Sequence, residues 1–295
     1  MRTIVMTGAT AGIGLAAAEQ IRRVPNVRLL LGTRGTSTVS ADSLPLDLAR
    51  LASVRSFAAA VEEMLGGGSI DALVLNAGIQ FDDVDQRTED GFETTFAVNH
   101  LAHYLLLRLL MPRLATGAAV VITTSDTHDP KALPFSSGFA PEHADALKLA
   151  QGQVRLNPES KASGRRAYAT SKLCNVLTAR ALASSPFARE RGLGVIAFNP
   201  GLTPGTQLMR NSSAGVKFVV AVLMPILSPL MRINTIAGGG DLLANFALDR
   251  IVLPAGRIYA SQVKRQLTWP DPSELALDDA AMTKLWRDSE TLVRP

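Results

Sequence analysis

The chain has 295 residues, 47% of them hydrophobic, a net charge of +4 and one cysteine. That content suits one large core, and no linker, low-complexity block or repeat divides the chain. Its basic residues are dispersed, with Arg22–Arg23 and Arg165–Arg166 as adjacent arginine pairs, which argues against a nucleic-acid partner, and the lone Cys174 excludes an internal disulfide and fits a reducing, cytoplasmic setting.

The spacing predicts a strand from Thr3 to Thr7, beginning too early to follow a signal peptide, then a glycine turn and a helix over Ile13–Arg23 with Ala16, Ala17 and Ile21 inward. Glycines at 8, 12 and 14 let the backbone turn sharply and approach a pyrophosphate, which the helix N-terminus then meets with free N–H groups. A second strand, Val27–Leu31, leads into Gly32-Thr-Arg34. A cofactor with a free 2′-hydroxyl calls for an acid at this strand's end, and none occurs before Asp42. Arg34 is placed to meet a 2′-phosphate instead, so the expected cofactor is NADP rather than NAD.

Leu44–Leu48 reads as a third strand, followed by a helix from Ser53 to Leu65 that Gly66 ends. Ile70–Leu75 is a near-continuous apolar run, as in a strand buried on both faces, and it leads into Asn76-Ala77-Gly78. A long helix over Gly91–Leu114 contains Asn99, and a fifth strand, Ala118–Thr124, ends at Ser125. The helix over Arg166–Arg180 carries Tyr168 and Lys172 four positions apart, hence on one face. An ammonium beside a phenol favours the phenolate, so Lys172 is expected to lower the Tyr168 pKa toward the working range of an acid/base catalyst. Alternating strands and helices predict an α/β fold, a doubly wound parallel sheet with helices on both faces and its site at the strands' carboxyl ends.

Thr7-Gly8-x3-Gly12-x-Gly14, Asp47-Leu48, Asn76-Ala77-Gly78, Asn99, Ser125, Tyr168-x3-Lys172 and Asn199-Pro200-Gly201 follow, in order, the motifs of the short-chain dehydrogenase/reductase family. The resemblance covers residues 1–203. Phe96–His103 and Ser171–Asn175 resemble its retinol dehydrogenase and protochlorophyllide reductase branches, and the ending Lys284–Val293 resembles the latter. It implies a Rossmann-type enzyme that moves a hydride between nicotinamide and a carbonyl/alcohol pair. Tyr168 is then the general acid/base, and Lys172 tunes it and holds the nicotinamide ribose. Ser125 holds the substrate oxygen, and Asn99 fixes a water linking Lys172 to solvent. Thr7, Gly8, Thr10, Gly12, Ile13, Gly14, Arg34 and Asn76 to Gly78 are expected to hold the cofactor. Asp47 and Leu48 border its adenine, and Pro200, Gly201, Leu202 and Thr203 its nicotinamide. The alternatives are a carbon–carbon double-bond reductase of the protochlorophyllide reductase type and a non-catalytic NADP-binding regulator.

Two segments depart from the family pattern. Residues 34–46 are too few for the usual helix between the second and third strands. Ser125 and Tyr168 stand 43 positions apart, which makes 126–165 an insertion expected over the active site, with a short helix near Glu142–Gln151. A second apolar segment, within 203–240, is expected to act as a lid over a large apolar small-molecule substrate. Its stretch Phe218–Met231 is too short, and too broken by Pro225 and Pro229, to span a membrane, though it could rest on one or on another subunit of an oligomer. His100 and His103 lack the partners of a metal site. Cys174 is expected to be a packing residue rather than a catalytic one, and His128 either faces the pocket or lies in solvent.

Overall fold

The computed structural model describes residues 1–35, 42–132, 136–154, 163–204 and 233–294. Among these, eight strands form one sheet: β1 (Arg2–Thr7), β2 (Val27–Thr33), β3 (Ser43–Pro45), β4 (Ile70–Leu75), β5 (Leu114–Thr123), β6 (Gly194–Asn199), β7 (Tyr259–Val263) and β8 (Gln266–Thr268). Their order is β3-β2-β1-β4-β5-β6-β7-β8, and every pairing is parallel except that of β7 with β8. The chain winds outward from β1 to β3 and then returns to lay β4 on the other side of β1. That reversal leaves a crevice at the carboxyl ends of β1 and β4.

The helices are α1 (Gly12–Arg22), α2 (Leu51–Leu65), α3 (Thr94–Phe96), α4 (Ala102–Leu110), α5 (Ala146–Ala150), α6 (Ser163–Ala183), α7 (Pro186–Glu190), α8 (Ile236–Ala247) and α9 (Asp279–Val293). Alternation along the strands divides the core. Ile4, Met6, Leu29, Leu31, Val74, Ile196 and Phe198 face α1 and α8, whereas Val5, Leu30, Leu73, Leu75, Val120 and Val195 face α2, α4 and α6. Both faces are covered, which is why the strands read as unbroken apolar runs.

Element boundaries differ from the sequence expectation most at the long helix and the third strand. The long helix starts at Thr94, because the buried Glu93 carboxylate accepts the N–H groups of Thr95 (2.8 Å) and Phe96 (2.7 Å); it opens into a π-helical turn over Ala97–Leu101 and ends in a 3-10 turn at Met111–Arg113, where Pro112 cannot continue it. The third strand stops at Pro45, so Asp47 lies in the turn beyond it, accepting the Ala49 N–H at 3.0 Å. It begins ten residues after β2 ends, too short a reach for a crossover helix. The helix expected near 142–151 is α5, capped by Asp145.

Residues 205–232 of the expected lid lie outside the described residues, whereas 236–240 open α8 and pack against α1. At the C-terminal end, α9 seals α4 and α6. Trp286 stands edge-on to Tyr104 with 5.0 Å between ring centres, Arg108 lies over both rings, and Ser289 Oγ meets His100 Nε2 at 2.9 Å. Among the described residues no helix is long and apolar enough to cross a membrane.

Candidate active site

The glycine turn between β1 and α1 forms the floor of a cavity of about 570 Å³ at the carboxyl ends of the strands. Gly8 holds φ at +70°, and a Cβ there would sit 2.6 Å from the Ala77 Cα. At Gly14 a Cβ would lie 2.0 Å from the Gly8 carbonyl oxygen, so a side chain would close the turn. The N-cap, Ala11, has no side-chain bond to the helix start, which leaves the first N–H groups of α1 free for an anion. Thr7, Gly8, Thr10, Gly12, Ile13, Gly14, Arg34, Asp47, Leu48, Asn76, Ala77 and Gly78 line one end of the cavity, and Ser125, Tyr168, Lys172 and Pro200 to Thr203 the other. A backbone cradle that side chains would fill, an uncapped helix N-terminus and an exposed arginine beyond β2 are the donor set a phosphorylated dinucleotide requires, so these residues fit one. Asn99 stands just behind the lining, its Oδ1 3.5 Å from where a Cβ on Gly78 would be.

Three chain segments bring the polar groups together. Ser125 follows β5 directly. Tyr168 and Lys172 project from α6, with the Lys172 ammonium 5.5 Å from the Tyr168 ring centre and donating to the Thr123 carbonyl at 3.1 Å. Burial decides their titration. It pushes the Tyr168 hydroxyl up, against its hydrogen bond with Ser125, which lowers it, and it pulls Lys172 down to about 8. The sequence expectation that Lys172 lowers the Tyr168 pKa is therefore reversed here: desolvation of the phenolate outweighs an ammonium that is itself buried and bonded elsewhere. Tyr168 therefore rests as a phenol.

Asn99 sits in the π turn, a local widening that recurs at functional sites. Its Oδ1 accepts the Ile79 N–H (2.8 Å), and its Nδ2 donates to the Ile79 carbonyl (2.9 Å) and to Ser171 Oγ (3.0 Å). With the side chain so engaged, a water relay from Lys172 would have to use the Asn99 main-chain carbonyl.

That carbonyl already has a partner, in a residue for which sequence reasoning weighed only metal binding. His103 is buried, with its Nδ1 3.1 Å from the Asn99 carbonyl and its Nε2 3.0 Å from Thr7 Oγ1. A carbonyl can only accept, so Nδ1 carries the proton and Nε2 accepts from the Thr7 hydroxyl. The Thr7 oxygen in turn accepts the N–H groups of Asn76 (3.0 Å) and Ala77 (3.2 Å). Every donor in this chain has an acceptor only if the imidazole is neutral, and burial pulls its pKa down to about 4. His103 thus ties the cofactor-side loop to the π turn. Among the described residues no cluster of His, Cys, Asp or Glu could hold a metal.

His128 is neither in solvent nor in the pocket. It is buried edge-on to Tyr259, donates from Nδ1 to the Ser125 carbonyl and accepts the Ser273 N–H at Nε2 (3.3 Å), so it fixes the main chain of Ser125. Asn234, absent from the sequence reading, donates to the carbonyls of Pro200 (3.0 Å) and Gln262 (2.7 Å) and pins the loop after β6 to β7. Cys174 is fully buried in the core and its thiol is pushed up by burial. Of the insertion, the ends line the cavity (Asp126, Thr127, Arg165). Its middle is held against α6 by the Arg166–Glu142 pair (2.8 Å) and against α9 by Asp145–Lys284 (3.2 Å). Residues 133–135 and 155–162 of the insertion lie outside the described residues.

Comparison with known proteins places this geometry. A family model described as short chain dehydrogenase matches residues 2–135. Among curated proteins, dehydrogenase/reductase SDR family member 13 of Bos taurus is 33% identical, covering 99% of this chain and 73% of the relative. Retinol dehydrogenase 12 of Homo sapiens is 31% identical (98% and 85%), and protochlorophyllide reductase A of Oryza sativa subsp. japonica is 29% identical (98% and 80%). A crystal structure of an uncharacterized protein from Mycobacterium paratuberculosis superposes with a TM-score of 0.66 at 26% identity, covering 99% of this chain and 93% of that one.

Proposed function

Because the chain belongs to the short-chain dehydrogenase/reductase family, we propose that it is an NADP-dependent oxidoreductase that reduces the carbonyl of a largely apolar small molecule. The carrying observation is the convergence of Ser125, a protonated Tyr168 and Lys172 on the end of the cavity opposite the glycine cradle. Bound NADPH would supply a hydride to the carbonyl carbon. Ser125 donates a hydrogen bond to the carbonyl oxygen, and Tyr168 gives that oxygen its proton as charge develops on it. Lys172, ammonium at neutral pH, stabilises the phenolate left behind until solvent returns the proton. Identity to retinol dehydrogenase 12 supports a carbonyl/alcohol substrate. Identity to protochlorophyllide reductase A favours a second reading, reduction of a carbon–carbon double bond with the same proton donor. Product analysis with an enone separates the two: an allylic alcohol supports the first and a saturated ketone the second.

Arg34 supports the choice of cofactor. It is exposed on the cavity wall one residue past β2, and the first acid after it in the sequence, Asp42, pairs with Arg28 at 3.2 Å and does not line the cavity. NADPH should bind more tightly than NADH by about 1.5–3 kcal/mol, the range for a charge-assisted contact. In a fluorescence titration Arg34→Ala should remove most of that gap; equal affinities in the unaltered protein refute the assignment.

Ile79, Phe81, Val98 and Leu202 on the cavity wall support the apolar part of the reading. In a homologous aldehyde series kcat/KM should climb with chain length, by up to about 0.8 kcal/mol for each methylene buried. A flat series would count against it.

A further inference from the structure

We propose that Asp126 reads a hydrogen-bond donor, a hydroxyl or an amine N–H, on the substrate carbon next to the reacting carbonyl. This rests on the carbonyl-reductase reading of the same site and narrows its substrate class.

Asp126 opens the 3-10 turn that follows Ser125 and lines the cavity. Its Oδ1 lies 3.4 Å from Ser125 Oγ, a long and weak bond, and its other polar neighbours are the His128 ring, the Asn199 side chain and its own N–H. Among the described residues no cation pairs with it. Lys172 donates to the Thr123 carbonyl, Arg34 stands at the far end of the cavity, Arg165 is exposed, and both ring nitrogens of His128 are taken by Ser125 and Ser273. Burial raises the Asp126 pKa, and its charge acts on the hydroxyls of Tyr168 on α6 and Tyr259 on β7, raising both. Asp129 is the remaining acid of this turn. The charge of the carboxylate therefore bears on the proton donor itself.

The reaction makes this placement consequential. When Ser125 turns its hydroxyl to the substrate oxygen, Asp126 loses the one hydroxyl that serves it. A wholly apolar substrate would then leave a buried carboxylate held only by the Asn199 side chain and its own N–H, beside a carbonyl oxygen gaining negative charge, and both effects oppose turnover. A donor on the adjacent carbon removes the first and screens the second. Two polar atoms on neighbouring carbons are separated by roughly a hydrogen-bond length, comparable to the gap between Ser125 Oγ and Asp126 Oδ1. A site built to accept a donor rejects the analogue that lacks it more strongly than an apolar pocket rejects a missing methylene.

The test compares an α-hydroxy ketone with the ketone carrying methyl in place of the hydroxyl, using NADPH and the full chain. The ratio of their kcat/KM values is measured for the unaltered protein, Asp126→Asn and Asp126→Leu. Reading the ratio within each protein cancels the intrinsic reactivity of the two ketones. It should fall about 10–100-fold from the unaltered protein to Asp126→Leu, the range for hydrogen bonds to charged groups. Asp126→Asn, which keeps a neutral acceptor and the side-chain shape, should lie between. The same ratio in all three proteins overturns the proposal. In parallel, the corresponding diol and its methyl analogue are titrated calorimetrically into the NADP-loaded protein. Diol binding that is tighter than the analogue's and weakens in Asp126→Leu supports the proposal even if neither ketone turns over, an outcome that would count against the reductase reading alone. Equal binding of the two by the unaltered protein overturns it.

Discussion

Tyr168→Phe is expected to slow carbonyl reduction by a factor on the order of 10²–10⁴, the range for one positioned acid/base group, while leaving NADPH affinity within about twofold. The substitution removes one oxygen from a ring that is buried on α6, so the packing that surrounds it survives. The cofactor cradle is built from the turn after β1 and the start of α1, neither of which the hydroxyl supports. Loss confined to kcat is therefore the signature. A pH profile adds a second reading. Burial raises the Tyr168 pKa, so the phenol, the form that donates, persists through neutral pH. Reduction by the unaltered enzyme should hold through neutrality and fall only at high pH as Tyr168 ionises; oxidation, which needs the phenolate as base, should rise with pH. Turnover by Tyr168→Phe at the unaltered rate would remove the proton-transfer role altogether.

The sheet was legible because its strands are short, apolar on both faces and punctuated by glycine or polar turns. Thr3–Thr7 and Ile70–Leu75 needed no tertiary information to be read. Helix ends were harder, since they depend on one side chain reaching a few backbone groups. The buried Glu93 that starts α3 is such a case: a carboxylate in the core is improbable from composition and becomes reasonable only with two N–H groups in view. The lining of the site was carried by local motifs, and the structure gathers those residues around one cavity. What stayed hidden were the braces. His103, His128 and Asn234 act across sequence separations of 96, 145 and 34 residues, respectively to Thr7, Ser273 and Pro200, and no local pattern encodes such a contact. Titration was misjudged for a related reason. The four-residue spacing correctly placed Lys172 near Tyr168, but spacing carries no measure of desolvation, and desolvation governs both groups.

Lys172→Met should uncouple stability from activity. The ammonium is buried and its pKa is lowered to about 8, whereas in the unfolded chain it returns to the ordinary lysine value of 10.5. Between those values the unfolded state binds more protons than the native one, so the stability of the unaltered protein rises with pH across that window, and below about pH 8 the cost of burying the charge is present in full. A difference of that size corresponds to roughly 3 kcal/mol. Methionine has nearly the same length and no charge. It forfeits the bond to the Thr123 carbonyl, worth about 1 kcal/mol, although Asn175 Nδ2 still donates to that oxygen at 3.0 Å. The variant should therefore be more stable than the unaltered protein at pH 7, by about 2 kcal/mol, with the advantage shrinking as pH approaches 10.5. Activity should move the opposite way. Without a cation beside Tyr168, the phenolate formed on proton transfer loses the charge that offsets its desolvation and keeps only the Ser125 hydrogen bond, and reduction should slow by about 10² or more. Thermal unfolding measured from pH 6 to 10.5, with turnover measured on the same samples, decides both halves. A variant that melts lower than the unaltered protein at pH 7 would mean that Lys172 is bound by more than one carbonyl. A variant that keeps its turnover would mean that the charge on Lys172 takes no part in the proton step.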